Sequence, residues 1–344
     1  MPSWLHVLMV GFAAACSSRT PTVLPWTFVV QPLSSGSTSS MRGLSVVDEQ
    51  VVWASGSGGV VLRSVDGGVT WTPRPVPDAD SLDFRDIEGF DSLTAFVLSA
   101  GEDGRVYRTS DGGATWRLQF RNSTRGAFFD CFAFFSRHSG IAMSDPVEGR
   151  FLLVNFADTS WTPLPQPNRP EADSAEAAFA SSGTCLTIAG TRAYFATGGG
   201  ESARVFWSAD RGETWHATET PVPAGSASAG IFSLAFRDEK HGIAIGGDYQ
   251  KPAQEARLAL TTDGGESWRV AGKTSYVSGA AWSHSGAALL AVGTPGTRLS
   301  RDRGVTWTML DSLEYNAVQF ASEQVAYAVG PRGRIAKLLR RERS

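Results

Sequence analysis

Arginine, carboxylate and amide residues lie at or near the starts of short apolar runs that we expect to form strands. The candidates are Arg42, Arg85, Asp130, Glu176 and Asn316. An arginine guanidinium binds a carboxylate through two parallel hydrogen bonds, which give the pair both strength and a fixed orientation. If these residues surround one opening, they would hold a carboxylate-bearing ligand or the end of a peptide chain.

Turns that we expect on the same face supply further candidates for binding. They are Asp145, Asp248, Tyr249, Lys251 and Arg332, and Glu88, in the predicted strand 86–90, is a further candidate. Loops on a rigid scaffold often carry function. For any one of these residues the alternative is a structural role, because arginine–carboxylate pairs at strand ends commonly tie neighbouring units together.

Motifs for catalysis by a bound cofactor or metal are absent from the sequence. It has no dinucleotide-binding fingerprint, no Cys-x-x-Cys pair and no haem motif, and its five histidines lack the spacing of metal ligands. We therefore expect no cofactor, no metal and no catalytic residue. One enzymatic alternative is a sialidase-type glycoside hydrolase, with Tyr249 or Tyr315 as nucleophile beside Glu176 or Glu314. Glu314 and Tyr315 are sequence neighbours, however, and would point to opposite sides of a strand.

A repeated phrase, S/T-x-D-x-G-x-T/S-W, predicts the elements that must position these residues. Its five copies are centred on Asp66, Asp111, Asp210, Asp263 and Asp302. An aspartate in this setting accepts hydrogen bonds from backbone N–H groups of a tight turn, the glycine adopts a positive φ, and the tryptophan packs into the core. We therefore interpret these Asp boxes as structural turns.

The tryptophans of this pattern recur about every 45 residues, a period typical of β-propeller blades. The equivalent positions are Trp26, Trp71, Trp116, Trp161, Trp215, Trp268 and Trp307. Upstream of each one, short apolar runs separated by turn residues predict further strands. In the fourth unit we expect residues 177–179 and 186–189 to be the first two strands.

The two ends of the chain complete the count of blades. The last unit lacks its tryptophan phrase, whereas the strand around Trp26 has no unit of its own. Pairing these ends makes a seventh blade and removes exposed sheet edges. The sequence therefore predicts an all-β fold, a single seven-bladed β-propeller over residues 24–339 whose last blade is closed by the N-terminal strand.

The N-terminal residues predict an exported protein. Residues 1–16 contain a short apolar run and end in Ala-Ala-Ala-Cys, which resembles a lipobox with Cys16 as the acylated residue. Residues 17–23 would be a tether. We expect a periplasmic, membrane-anchored lipoprotein that touches the membrane only through its lipid, with a secreted protein as the alternative.

Net charge and cysteine content limit the expected partners and the expected disulfides. The net charge of −3 gives no global attraction for nucleic acid, and residues 340–344 are interpreted as a basic tail. Cys131 and Cys185 fall in predicted strands of neighbouring blades, so a disulfide is open to them in an oxidising compartment. We expect two buried thiols instead, and a monomeric protein.

The Asp boxes, the sevenfold count and the split last blade resemble the photosystem II stability/assembly-factor family of seven-bladed propellers. Three stretches resemble a branch of that family from non-photosynthetic bacteria that often carries the label "oxidoreductase". They are 83–88 (Asp-Phe-Arg-Asp-Ile-Glu), 225–233 (Gly-Ser-Ala-Ser-Ala-Gly-Ile-Phe-Ser) and 247–251 (Gly-Asp-Tyr-Gln-Lys). The resemblance implies an extracytoplasmic assembly chaperone that docks a membrane-protein partner through an arginine-bearing face. It implies a comparable part for Arg42 and Arg85.

We therefore expect a scaffold or assembly factor that binds a membrane or periplasmic protein, or a peptide of one, on its loop-rich face. The alternatives are the sialidase-type hydrolase and, from the family label alone, a cofactor-dependent oxidoreductase.

Overall fold

The computed structural model describes Met1 and residues 26–342, which are β-strands joined by turns and loops, with one 3-10 helix at Gln166–Asn168. The predicted lipobox at Cys16 and the tether at 17–23 lie outside the described residues. In chain order the strands are β1 (Trp26–Leu33), β2 (Met41–Val46), β3 (Val52–Gly56), β4 (Val61–Ser64), β5 (Thr72–Pro73), β6 (Phe84–Gly89), β7 (Ala95–Ser99), β8 (Arg105–Thr109), β9 (Arg117–Arg121), β10 (Phe129–Ser136), β11 (Ser139–Val147), β12 (Arg150–Ala157), β13 (Ser160–Pro163), β14 (Leu186–Ala189), β15 (Arg192–Ala196), β16 (Ala203–Ser208), β17 (His216–Thr220), β18 (Ala229–Phe236), β19 (Gly242–Asp248), β20 (Ala256–Thr261), β21 (Arg269–Thr274), β22 (Gly279–Trp282), β23 (Leu289–Gly293), β24 (Gly296–Ser300), β25 (Thr308–Asp311), β26 (Ala317–Phe320), β27 (Val325–Val329) and β28 (Ile335–Glu342).

These strands form seven antiparallel sheets of four strands each, which are the blades of a β-propeller. Blades 1 to 6 each contain four consecutive strands, beginning with β2, β6, β10, β14, β18 and β22, and blade 7 contains β26, β27, β28 and β1. The first strand of each blade contacts the first strand of the next in a closed ring, from β2 round to β26 and back to β2. These seven strands therefore surround a central channel. The predicted all-β, seven-bladed propeller is confirmed.

The two ends of the chain meet in blade 7. Strand β1 pairs antiparallel with β28, beginning with Trp26 opposite Glu342. The guanidinium groups of Arg301 and Arg340 lie over the indole ring of Trp26, at 4.7 and 4.3 Å from the ring centre. Because β1 pairs with β28 as far as Glu342, β28 extends beyond residue 339, where the sequence predicts that the propeller ends.

The turns around the repeated aspartates are closed by side-chain hydrogen bonds. Ser64 Oγ donates to Asp66 Oδ1 at 2.8 Å, and the N–H and the hydroxyl of Thr70 donate to the same carboxylate at 2.9 and 2.6 Å. Gly68 adopts a φ of 86° in this turn. The hydrogen bonds, that of the Thr70 hydroxyl above all, favour the charged carboxylate and lower the pKa of Asp66 to about 2. Equivalent hydroxyl-to-carboxylate bonds close the turns at Asp111, Asp210, Asp263 and Asp302.

The strands of blade 4 differ from the sequence prediction. Residues 186–189 are the first strand of the blade rather than the second, β15 is the second, and residues 177–179 form no strand. Residues 177–185, which we call the plug segment, make backbone hydrogen bonds to their own blade at both ends and to other blades in between. For example, the carbonyl groups of Ala180 and Ser181 accept from arginines of blades 2 and 1. The insertion lengthens the fourth unit and displaces its strands along the sequence.

The apolar core lies between adjacent blades, where facing sheets pack on each other. Trp53 of blade 1 and Trp116 of blade 2, for example, meet edge to face with ring centres 6.3 Å apart. Within the residues that the structure describes, no helix has the length and apolarity needed to cross a membrane.

We expect Phe28→Ala to weaken the closure of the ring. Phe28 is 3% exposed in β1 and packs edge to face on Phe320, with ring centres 5.7 Å apart. The truncation should lower the free energy of unfolding by about 3–5 kcal/mol, because it leaves a cavity between β1 and the blade. Val29→Ala is the matched control, since Val29 is exposed in the same strand and its truncation should change stability by about 0.5 kcal/mol or less. Urea unfolding measures both, and equal effects would contradict the packing role of β1.

Candidate functional site

One end of the central channel opens into a cavity of about 500 Å³. Every blade, or the segment that leads into it, contributes to the walls. The lining residues are Arg42, Arg85, Phe128, Asp130, Ala177, Ala178, Phe179, Ala180, Ser181, Ala227, Phe232, Tyr249, Tyr276, Ser278, Thr294, Glu314 and Asn316.

A β-bulge near the start of the first strand turns one side chain from each of four blades into this cavity. The ladder register shifts at Arg42 in β2, Arg85 in β6, Asp130 in β10 and Phe232 in β18. A bulge leaves one residue out of the ladder and re-aims its side chain, and bulges are frequent beside functional sites. The four residues therefore occupy equivalent positions in their blades and converge on one space.

The two arginines of the cavity contact the plug segment. Arg42 Nη1 donates to the carbonyl oxygen of Ser181 at 3.3 Å, and Arg85 Nη1 donates to that of Ala180 at 3.1 Å. Arg85 also forms an ion pair with Asp83 at 2.8 Å, whereas Arg42 has no ion pair within residues 26–342. Burial, and then the charge of Arg85, lower the pKa of Arg42 from its usual value. An anionic ligand would offset both effects.

An aromatic wall made of Phe179, Phe232 and Tyr276 lines another side of the cavity. Phe179 and Phe232 are stacked, with ring centres 4.0 Å apart and planes 14° apart. Tyr276 meets Phe232 edge to face at 5.0 Å. At the rim, Phe128 and Tyr249 are exposed large hydrophobic side chains. The cavity thus offers cationic donors and an apolar surface to the same ligand.

Two neighbouring acidic side chains are Asp130, which belongs to the lining, and Asp145, which does not. Asp130 is 1% exposed, and its Oδ2 has no hydrogen-bond partner in the described part of the chain. Asp145 accepts a hydrogen bond from the N–H of Ala178 at 2.8 Å. Burial, and then the neighbouring Asp145 carboxylate, raise the pKa of Asp130 well above its usual range, although Arg85 opposes the shift. Burial also raises the pKa of Asp145, so the pair retains a proton well above the usual pKa of an aspartate.

Cys131 and Cys185 form a disulfide, with their Cα atoms 6.2 Å apart. The expectation of two free thiols is therefore wrong. Cys131 lies in β10, and Cys185 directly precedes β14, the first strand of the next blade, so the contact between these inner strands brings the sulfurs into bonding range. The bond fixes the end of the plug segment to the strand that carries Asp130.

Five of the residues that the sequence predicts for ligand binding meet at the cavity. They are Arg42, Arg85, Asp130, Tyr249 and Asn316. Asn316 also donates from Nδ2 to the carbonyl oxygen of Met41 at 2.7 Å, so it joins blade 7 to blade 1. The Asn316 side chain thus has a structural contact in addition to its place in the lining.

Two predicted residues lie in other surroundings. Glu176 forms an ion pair with Arg204, whose Nε donates to it at 2.9 Å, so its carboxylate is occupied within blade 4 and does not line the cavity. Glu88 lines a second cavity of about 320 Å³ at the other end of the channel. Burial raises the pKa of Glu88 to about 7.

Other candidates lie on the rim or point away from the cavity. Asp248 and Lys251 pair with each other at 3.5 Å, and Arg332 is exposed in a turn with a φ of 58°. Glu314 lines the cavity, but Tyr315 is fully buried in the core of blades 6 and 7. The two side chains therefore point apart, and they do not form the nucleophile pair of a sialidase-type site.

Sequence reasoning missed the aromatic wall. Phe232 occupies the same position in its blade as Arg42 and Arg85 do in theirs, so an alignment of the seven units on their first strands would have identified it. Phe179 belongs to the plug segment, which the other blades lack, and no repeat signal marks it. In residues 26–342, no group of three or more His, Cys, Asp or Glu side chains is arranged to hold a metal ion.

Solved structures with the same architecture include two of YCF48. YCF48 bound to D1 peptide matches with a TM-score of 0.64 and 16% identity over 92% of this chain and 97% of that chain. YCF48 from Cyanidioschyzon merolae matches with a TM-score of 0.66 and 15% identity over 90% of this chain and 99% of that chain. What they share with this chain is the fold. The WD40 β-propeller domain of Doa1 gives a TM-score of 0.60 and 11% identity over 91% and 96% of the two chains. No protein-family model and no curated protein matches the sequence.

We expect the Cys131→Ala/Cys185→Ala variant to fold with reduced stability and a looser plug segment. The disulfide joins residues separated by 54 positions, and the loss of that restraint on the unfolded chain should lower the free energy of unfolding by about 4 kcal/mol. Urea unfolding measures the first effect, and amide hydrogen exchange of residues 177–184 measures the second. Reduced wild-type protein is the control, since it should behave like the variant. Unchanged exchange in these residues would show that the disulfide does not hold the cavity wall.

Proposed function

We propose that the protein is a non-enzymatic scaffold or assembly factor that binds a protein partner through the end of a peptide chain, inserted into the cavity. The observation that carries this proposal is the position of Arg42 and Arg85 beside the aromatic wall in one open cavity. A chain end presents both a carboxylate for the arginines and a side chain for the aromatic rings.

The chemistry of the walls matches such a ligand. The guanidinium groups provide N–H donors in the planar arrangement that carboxylates accept best. The stacked rings of Phe179 and Phe232 offer a flat apolar surface to the last side chain of the peptide. At about 500 Å³ the cavity has the size of a small-ligand site, so it takes the last one or two residues while the rest of the partner lies on the rim.

The likeness of fold supports a peptide partner. One of the similar propellers is YCF48 bound to D1 peptide, so a seven-bladed ring of this type has bound a peptide. YCF48 is a photosystem II assembly factor, and we transfer from it only the general role of a scaffold that holds a protein partner. The sialidase-type alternative that pairs Tyr315 with Glu314 has less support, because these two side chains point apart.

We further propose that the protein works outside the cytoplasm, as a lipoprotein acylated at Cys16. The lipobox-like sequence that ends at Cys16 supports this location. The disulfide between Cys131 and Cys185 supports it as well, because such bonds persist mainly in oxidising compartments.

We expect the protein to bind octapeptides with free carboxyl ends and to discriminate against the same peptides as amides. An array of immobilised octapeptides that differ in their last two residues, each made as the free acid and as the amide, tests this discrimination. Arg42→Ala/Arg85→Ala should weaken binding by about tenfold or more, because each charge-assisted hydrogen bond to the carboxylate contributes about 1.5–3 kcal/mol. Arg332→Ala is the matched control, since Arg332 is exposed and outside the lining, and it should bind like the wild type.

Equal binding of acid and amide peptides would contradict a carboxylate site. Binding that survives in the double arginine variant would place the peptide elsewhere on the propeller. A pull-down from detergent-solubilised native membranes with wild type and the double variant then identifies the natural partner among proteins whose chain ends match the peptides.

A further inference from the structure

Asp130 carries an atom that the fold leaves without a partner. Its side chain lines the cavity, its exposed fraction is 1%, and Oδ2 makes no hydrogen bond within the described residues. A buried polar atom of this kind destabilises the protein unless a ligand satisfies it. The β-bulge places Asp130 at the position in β10 that Arg42 and Arg85 occupy in their own strands. Asp130 is thus part of the ligand-facing set by geometry.

The surrounding charges favour the neutral form of this carboxyl group. Asp145 is its acidic neighbour and disfavours a second negative charge, while Arg85 and the N–H groups of Asp145 and Ala180 favour ionisation. The guanidinium of Arg85 is already engaged by Asp83 at 2.8 Å, so its charge is partly neutralised. Arg42, Glu314 and Tyr276 also face the cavity. With burial added, these groups raise the pKa of Asp130 well above its usual range.

We propose that Asp130 is a specificity-determining residue of the site: its neutral carboxyl group donates a hydrogen bond to the carboxylate of the bound peptide end, beside the arginines. The inference rests on the proposed function, since it names the third donor of the same cavity. A carboxylic acid kept neutral by an apolar site can serve as a donor in this way. No proton is transferred; the proton stays on Asp130 and is shared in the hydrogen bond.

The proposal makes binding depend on pH in a defined direction. The pKa of Asp130 is raised. The neutral form, which donates the hydrogen bond, is therefore present at pH values below this pKa and is lost as the pH rises through it. Above it, an ionised Asp130 repels the ligand carboxylate. Binding should therefore weaken as the pH increases through the pKa of Asp130, and it should also fall below about pH 4, where the ligand carboxylate takes up a proton.

N-acetyl-L-phenylalanine is the probe, because it has one carboxylate and one aromatic side chain, and N-acetyl-L-phenylalaninamide is its uncharged control. Their affinities are measured by ligand-observed NMR between pH 4 and 9. For the wild type we expect the acid to bind at least about tenfold more weakly above the pH at which Asp130 ionises, which a carbon-13 NMR titration of the free protein locates; this is the size expected for one hydrogen bond to a charged group. Asp130→Asn, which keeps a donor and cannot ionise, should bind with little dependence on pH in this range.

Asp145→Asn separates the proposed role from a merely structural one. The asparagine side chain can still accept a hydrogen bond from the N–H of Ala178, but the negative charge beside Asp130 is gone. The pKa of Asp130 is then lower, so the loss of binding should begin at a lower pH than in the wild type. An identical pH profile in wild type and Asp130→Asn across the pH at which Asp130 ionises would overturn the proposal. So would a free-protein carbon-13 NMR titration in which Asp130 ionises at the pH of an ordinary aspartate.

These outcomes separate the two proposals from each other. Binding of the acid that requires Arg42 but does not change across the pH at which Asp130 ionises removes the role of Asp130 and leaves the peptide site standing. If neither the acid nor the array peptides bind at any pH, the proposed function fails, and the role of Asp130 fails with it even if its carboxyl group titrates at high pH.

Discussion

Closure of the ring by pairing of β1 with β28 is the constraint on which the rest of the structure depends. An open stack of blades would leave exposed sheet edges and would not bring its first and last units together. In the closed ring, Asn316 of blade 7 donates to Met41 of blade 1 at 2.7 Å, across 275 positions of sequence. Side chains at the starts of the seven inner strands then face one channel. The cavity is a consequence of this convergence, and no single blade contains a site.

The plug segment gives the cavity its shape and its chemistry. It supplies Phe179 to the aromatic wall, and its carbonyl groups orient the guanidinium groups of Arg42 and Arg85. Glycine is required where a neighbouring turn packs against this segment: a Cβ at Gly198 would lie 2.8 Å from Cε2 of Phe179. The disulfide and these hydrogen bonds tie the plug segment to blades 1, 2 and 3. A ligand therefore meets donors and rings that are already in place, which reduces the entropy lost on binding.

The sequence predicts the blades well because each repeat carries its own local signal. Aspartate, glycine and tryptophan at fixed offsets specify a turn whatever surrounds it, and the unpaired ends around Trp26 and β28 specify the closure. The sequence assigns the strands of blade 4 wrongly because the assignment rests on the spacing of the repeats, which the plug segment changes. The pairing of Cys131 with Cys185 was missed for the same reason. Arg42, Arg85 and Asp130 were identified from their repeat position, whereas Phe179 depends on a tertiary contact that no local pattern records.

The central claim is that a peptide end is held in the cavity by Arg42 and Arg85, and a crystal structure with the tightest-binding octapeptide tests it most directly. The account predicts that the terminal carboxylate accepts hydrogen bonds from both guanidinium groups, with the last side chain against Phe179 and Phe232. A peptide seated at the second cavity around Glu88, or along the outer edge of a blade, would contradict it.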